Sequence, residues 1–280
     1  MRSETFLIPF LRATSKRPWL SRLLFARDPW GNPFSPEAVA DPFQIVARMW
    51  EDGPVTYRST WGRWFVPGYR EAQLVLSHPS ASAGADVAGL VDEVWPYTRL
   101  APETKAFFLQ WMLLRDGVDH AGLRKRMSGT FTPRRVSTLE AAIEAEVTSL
   151  LDGLAGRSEI EMVEAFNHRL PLRIVGTLLG LPEDRWEWAG GLVGQLAAFL
   201  DPSDSFDVGT LDAAVVELGD GLRPLLAARR HDPKDDLLSD LLAPDEDGIT
   251  LSDEEAVANV GFLIFAGHDT ISGMLGTALV

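Results

Sequence analysis

Val260-Gly261-Phe262-Leu263-Ile264-Phe265-Ala266-Gly267-His268-Asp269-Thr270 is the stretch that decides how this 280-residue chain is read. Val260–Ala266 is apolar on every side, interrupted only by Gly261, so it reads as a helix buried all round. Upstream, Ser252-Asp253-Glu254-Glu255 matches a capping box and starts that helix at about Asp253. Gly267-His268-Asp269-Thr270 then puts polar groups into the middle of the buried stretch. The sequence runs on to Val280 without a Gly stop or a charged last turn, and such a helix is expected to need partners beyond these residues.

The polar step admits two readings. Ala266 and Thr270 are four apart and share a helix face, and with Gly267 beside them a flat ligand can approach the backbone closely. A Thr hydroxyl competes for the carbonyl one turn back and opens a polar groove, while Asp269 beside it can hold or relay a proton. That combination suits binding and protonating a small oxidant on a planar cofactor. A core helix with a satisfied polar pair, Gly for close packing and a back-bonded Thr fits the same spacing. A membrane anchor over Ala256–Val280 fits it poorly, since Asp near a bilayer centre costs about 3 kcal/mol.

A second constellation lies at Asp116-Gly117-Val118-Asp119-His120-Ala121-Gly122-Leu123-Arg124. Asp116 reads as a helix N-cap, with Asp119 in the first turn near the positive helix end. His120 and Arg124 then share one face, where two cations repel by a few tenths of a kcal/mol unless an anion lies between them. Ligand carboxylates would be such an anion, and Arg takes one bidentately. A solvated face with a neutral His is the alternative.

Outward from these motifs, helical spacing recurs at Ser137–Leu154, Ile160–Leu179, Glu183–Leu200, Gly209–Arg230 and Asp235–Leu242. Residues 79–110 lack clear periodicity and read as a long loop, functional or mobile. Nearer the start, a helix over Asp41–Trp50, a hairpin of Pro54–Ser59 with Gly62–Pro67 and a short helix Tyr69–Leu76 follow an extended lead segment, residues 1–40. Residues 232–255 carry ten acids against one Lys and read as a solvated linker and helix entry.

The net charge of −14 argues against a nucleic-acid partner. With no Cys, the chain has no disulfide and no thiolate metal ligand of its own. The apolar run Phe6–Leu11 is short and is followed by Arg12, Lys16, Arg17 and Arg22, whereas a secretory signal carries its charges before a longer apolar core, so a cytoplasmic protein is expected.

In this order and at these separations, five stretches make the sequence similar to the cytochrome P-450 family of soluble bacterial haem-thiolate monooxygenases. They are Asp116–Arg124 followed by Thr130-Phe131-Thr132-Pro133-Arg134; Leu170-Pro171-Leu172; Leu178-Leu179-Gly180-Leu181-Pro182; Asp235-Asp236-Leu237-Leu238-Ser239-Asp240-Leu241-Leu242; and Ala266–Thr270. The resemblance implies a mainly α fold with a small N-terminal β portion, and one domain over 1–280 lacking the family's C-terminal part. It implies His120 and Arg124 as the pair holding the propionates of haem b, and Ala266 and Gly267 as the helix stretch over the haem. Asp269 and Thr270 become the acid and alcohol that deliver protons to dioxygen. Residues 79–110 and 183–230 become the cover of a pocket for a small apolar organic substrate. Six basic residues from Arg115 to Arg135, against two acids, become the dock of a ferredoxin-type electron donor. The Glu-x-x-Arg helix and the Cys-bearing haem loop of the family have no counterpart, so a truncated chain, inactive unless completed, is expected. A P-450-like interaction module without catalysis is the competing expectation.

Overall fold

Ser252 and Glu255 start the long helix as the sequence predicts. The Ser252 hydroxyl accepts the Glu255 N–H at 3.1 Å, and the Glu255 carboxylate accepts the Ser252 N–H at 3.0 Å. The computed structural model describes residues 43–58, 63–82, 101–131, 133–197, 208–246 and 248–279, with the isolated positions 30, 38, 40 and 41. The chain divides into two compact units, Met1–Arg99 with Asp201–Ser205 and Leu100–Leu200 with Phe206–Val280.

The first unit holds α1 (Phe43–Glu51), the antiparallel strands β1 (Thr56–Arg58) and β2 (Arg63–Phe65), and α2 (Tyr69–Ser77). Tyr57 faces Trp64 across the hairpin. Trp30, 2% exposed, organises this unit. Its ring meets Phe65 edge-on at 5.0 Å and carries the Arg58 guanidinium at 4.0 Å. Its indole N–H donates to Asp52 at 2.7 Å. The remainder of the lead segment and residues 83–100 lie outside the described residues.

The second unit is helical: α3 (Pro102–Leu109), α4 (Gly117–Thr130), α5 (Pro133–Asp152), α6 (Arg169–Leu179), α7 (Trp186–Ala197), α8 (Val208–His231), α9 (Leu237–Leu242) and α10 (Asp253–Ala278). α10 lies at its centre, against α3, α6, α7 and α8. Residues 102–109 therefore correct the loop expected across 79–110. Thr104 is bound at both its N–H and its hydroxyl by Asp212, each at 2.8 Å, while Phe107 and Phe108 enter the core. Trp111 joins them, its ring 4.5 Å from Phe108 and 5.3 Å from Phe262. Gly261 makes room for this cluster, because a Cβ there would come within 2.6 Å of Phe107.

The expected single helix Ile160–Leu179 is two pieces, a π-turn over Val163–Asn167 followed by α6. The wide turn frees the Asn167 carbonyl, which accepts the Ser272 hydroxyl of α10 at 3.0 Å. The burial expected all round α10 holds for Ala256–Gly261 and Ile264, whereas Phe262 is half-buried beside Trp111, and Leu263, Phe265 and Ala266 are half-exposed toward two hollows on its flanks. Among the described residues no helix is long and apolar enough to cross a membrane.

Candidate functional site

Asp116 occupies the N-cap of α4, and the first turn brings His120 back over the 3-10 turn Met112–Leu114. His120 Nδ1 lies 3.0 Å from the Met112 carbonyl. A carbonyl only accepts, so Nδ1 carries the hydrogen and Nε2 remains available to a ligand. Arg124 stands one turn on, exposed, with no bond to any described residue. Leu123 and Met127, each 4% exposed, anchor the helix beneath the pair.

The neighbouring cations are differently placed. Arg126 donates to Asp245 at 2.7 Å and to the carbonyls of Ala243 and Ile249; Lys125 meets Glu246 at 2.7 Å, and Arg115 meets Glu255 at 3.3 Å. The acidic run read as a solvated linker thus folds back on α4 and neutralises three of the six basic residues assigned to an electron-donor dock. The side chains of Arg134 and Arg135 lie outside the described residues.

On α10 the four expected residues split between faces. Ala266 and Gly267, with Leu263 and Ile271, line an apolar groove of about 480 Å³ against α6, closed by Phe131, Ile143 and Leu237. The space of the missing Gly267 Cβ is taken by Val175, whose Cγ2 would lie 2.4 Å from it, so the close approach that Gly267 permits is that of α6. The Thr270 hydroxyl donates to the Ala266 carbonyl at 2.7 Å, the back-bond read from spacing. Asp269 is exposed and lines a polar hollow of about 460 Å³ with Glu164, His168, Glu187 and His268.

His268, a polar residue of the buried stretch to which the motif assigns no role, is engaged in the fold. Its ring packs edge-on against His168 at 5.6 Å, and its Nε2 is buried without a partner. Burial, and secondarily the charge of His168, hold its pKa below the ordinary 6.5, against the opposing pull of Asp269 and Glu187. The unfolded chain therefore takes up the proton first: this contribution to stability is full above 6.5 and is lost as the pH falls from there toward the folded value. Urea unfolding at about pH 7.5 and 5.5 should show a larger acid loss in the native chain than in His268→Gln. Equal losses would remove His268 from this role.

The sequence reading also gave Asn259 no part in the site. It is fully buried in α10, yet its amide reaches the backbone at Gln110 and Met112. The available signal was a lone Asn inside Ala256–Phe265, because a buried amide demands partners.

No family model matches the chain. It is 37% identical over 173 residues to cytochrome P-450 107B1 of Saccharopolyspora erythraea, covering 60% of this chain and 40% of that protein. It is 32% identical over 270 residues to the vitamin D(3) 25-hydroxylase of Pseudonocardia autotrophica, covering 92% of this chain and 59% of that protein. The structure of the epothilone D-bound cytochrome P-450epoK superposes with a TM-score of 0.76 at 29% identity, over 88% of this chain and 62% of the other. The chain thus spans less than two thirds of the relatives it matches, and by sequence and fold together it belongs to the bacterial cytochrome P-450 family.

Proposed function

We propose that the chain forms the propionate edge and oxygen side of a cytochrome P-450 monooxygenase that uses haem b and dioxygen to hydroxylate a small apolar organic molecule. The observation that carries the reading is the pair on α4: a His with Nδ1 already committed to Met112 and, one turn on, an Arg with no bond to a described residue. A His and an Arg on one helix face fit two carboxylates on a single ligand. Such a pair would hold haem by its propionates, and bound haem supplies the iron on which dioxygen is reduced. To hold a carboxylate His120 would donate from Nε2 while Nδ1 stays on the Met112 carbonyl. Arg124 donates bidentately and stays charged throughout.

Asp269, in contact with solvent through the polar hollow, takes up protons at its carboxylate. Thr270 relays a proton, its hydroxyl leaving the Ala266 carbonyl to donate while its oxygen accepts a replacement that originates at the Asp269 carboxyl. Ala266 keeps the helix surface low, and Gly267 lets α6 pack close behind it. Electrons come from a ferredoxin-type donor. Its approach to α4 is limited by the ion pairs of Arg115, Lys125 and Arg126.

The 280 residues contain no Cys, so any thiolate on the iron comes from outside them. That observation favours a second reading, an interaction module with the same fold and no catalysis. Titration of the chain with hemin separates the two. The monooxygenase reading expects saturable binding, and the reduced CO form should lack the band at ~450 nm that requires thiolate. Absence of binding favours the module, and a band at ~450 nm overturns the ligand argument.

A further inference from the structure

We propose that Asn259 is a positioning residue for His120, acting across the backbone of residues 110–112. Its side-chain oxygen accepts the Met112 N–H at 3.1 Å, and its amide nitrogen donates to the Gln110 carbonyl at 3.0 Å and to the Glu255 carbonyl at 2.9 Å. An amide offers two hydrogens and one carbonyl oxygen, and here each is used. The partners fix its orientation: an N–H requires the oxygen end, and a carbonyl requires the nitrogen end.

Met112 is held from both sides. Its N–H is bound by Asn259 on α10, and its carbonyl accepts His120 Nδ1 on α4 at 3.0 Å. Arg115, 19% exposed, adds a second tie between this segment and α10, through Glu255 at 3.3 Å. A residue needed only to fill the interior at 259 would be Leu, which occupies similar space and buries no polar atom. Asn instead spends its whole bonding capacity on backbone, most of it on the one short segment that orients His120. The central helix thereby sets which nitrogen of His120 is tied to the Met112 carbonyl and which faces outward, and so the tautomer of the ligand-free ring.

The consequence for haem rests on reading His120 as a carboxylate holder, but the positioning itself does not. The first experiment uses the full 280-residue chain with ¹⁵N-labelled histidine and no ligand. At a pH where His120 is neutral, long-range ¹⁵N–¹H spectra should show the hydrogen on Nδ1, and the Met112 amide should exchange slowly. Hydrogen on Nε2, or a fast-exchanging Met112 amide, overturns the proposal. In Asn259→Leu the tautomer should move toward a mixture, and an unchanged tautomer in that folded variant also overturns it. Should Asn259→Leu not fold, the same signal is read in Asn259→Ser, which leaves more room for its neighbours.

The second experiment measures hemin affinity. Asn259→Leu should weaken it about tenfold, but add less than about twofold in a His120→Gln background. Full additivity contradicts action through His120. Failure of the native chain to bind hemin would sink the haem reading alone, because the tautomer result is decided without hemin.

Discussion

Asp236→Ala is expected to cost about 3–5 kcal/mol of folding stability, a large share of what a domain possesses. The Asp236 side chain is 8% exposed and that of Arg229 17%, and they meet at 2.6 Å. The same carboxylate accepts the Ser239 N–H at 2.8 Å, capping α9, and Arg229 donates onward to the Gly180 carbonyl at 2.8 Å. One carboxylate thus joins the start of α9, the last turn of α8 and the end of α6. Removing it leaves a largely buried guanidinium without its counter-charge and deletes a cap worth about 1 kcal/mol. Asp236→Asn keeps the capping oxygen and should cost distinctly less. Urea unfolding reads both, through a lower midpoint at unchanged slope. A loss under about 1 kcal/mol for the alanine variant would show that this junction is not what holds the three helices together.

Arg124→Ala should weaken hemin binding by about ten- to a hundredfold, the equivalent of the roughly 1.5–3 kcal/mol carried by a hydrogen-bonded charge pair. Arg124 is exposed and engages no described residue, so its removal should change folding stability by less than about 0.5 kcal/mol. That contrast gives the prediction its force, because a loss of affinity cannot then be blamed on unfolding. Arg124→Lys should recover part of the loss, since the charge survives and the bidentate fork does not. Unchanged affinity in the alanine variant would remove Arg124 from the site.

Local chemistry was the legible part. Ser252 and Glu255 declare a capping box within four residues, and the Thr270 back-bond spans one turn. α8, seen as Val208–His231, was read as Gly209–Arg230 because its apolar period is sustained and its ends are marked. The π-turn at Val163–Asn167 was not legible, because a five-residue repeat inserted once barely disturbs a helical apolar pattern. α3 escaped for the opposite reason. Thr104, Phe107 and Phe108 are all buried, leaving no clean polar face, and the helix is fixed by Asp212 from far along the chain.

The same division runs through the site. Spacing alone left His120, Arg124 and Thr270 open to a solvated face or a back-bonded core helix, and the family resemblance is what singled them out. Asn259 acts on Met112 across 147 positions of sequence, and Arg126 meets Asp245 across 119, so both needed the fold. At residues 232–255 charge counting held for Asp245 and Glu246, which stay exposed while pairing with Arg126 and Lys125, and missed the buried Asp236 and half-buried Glu255, which hold Arg229 and Arg115.

The central claim is that α4 and α10 are two walls of one haem site, joined through Met112. A structure of the chain with iron protoporphyrin tests it most directly. The propionates should lie against His120 Nε2 and Arg124, with the Ala266–Thr270 stretch over one porphyrin face. A porphyrin seated away from the α4 pair, with His120 and Arg124 free, would contradict it.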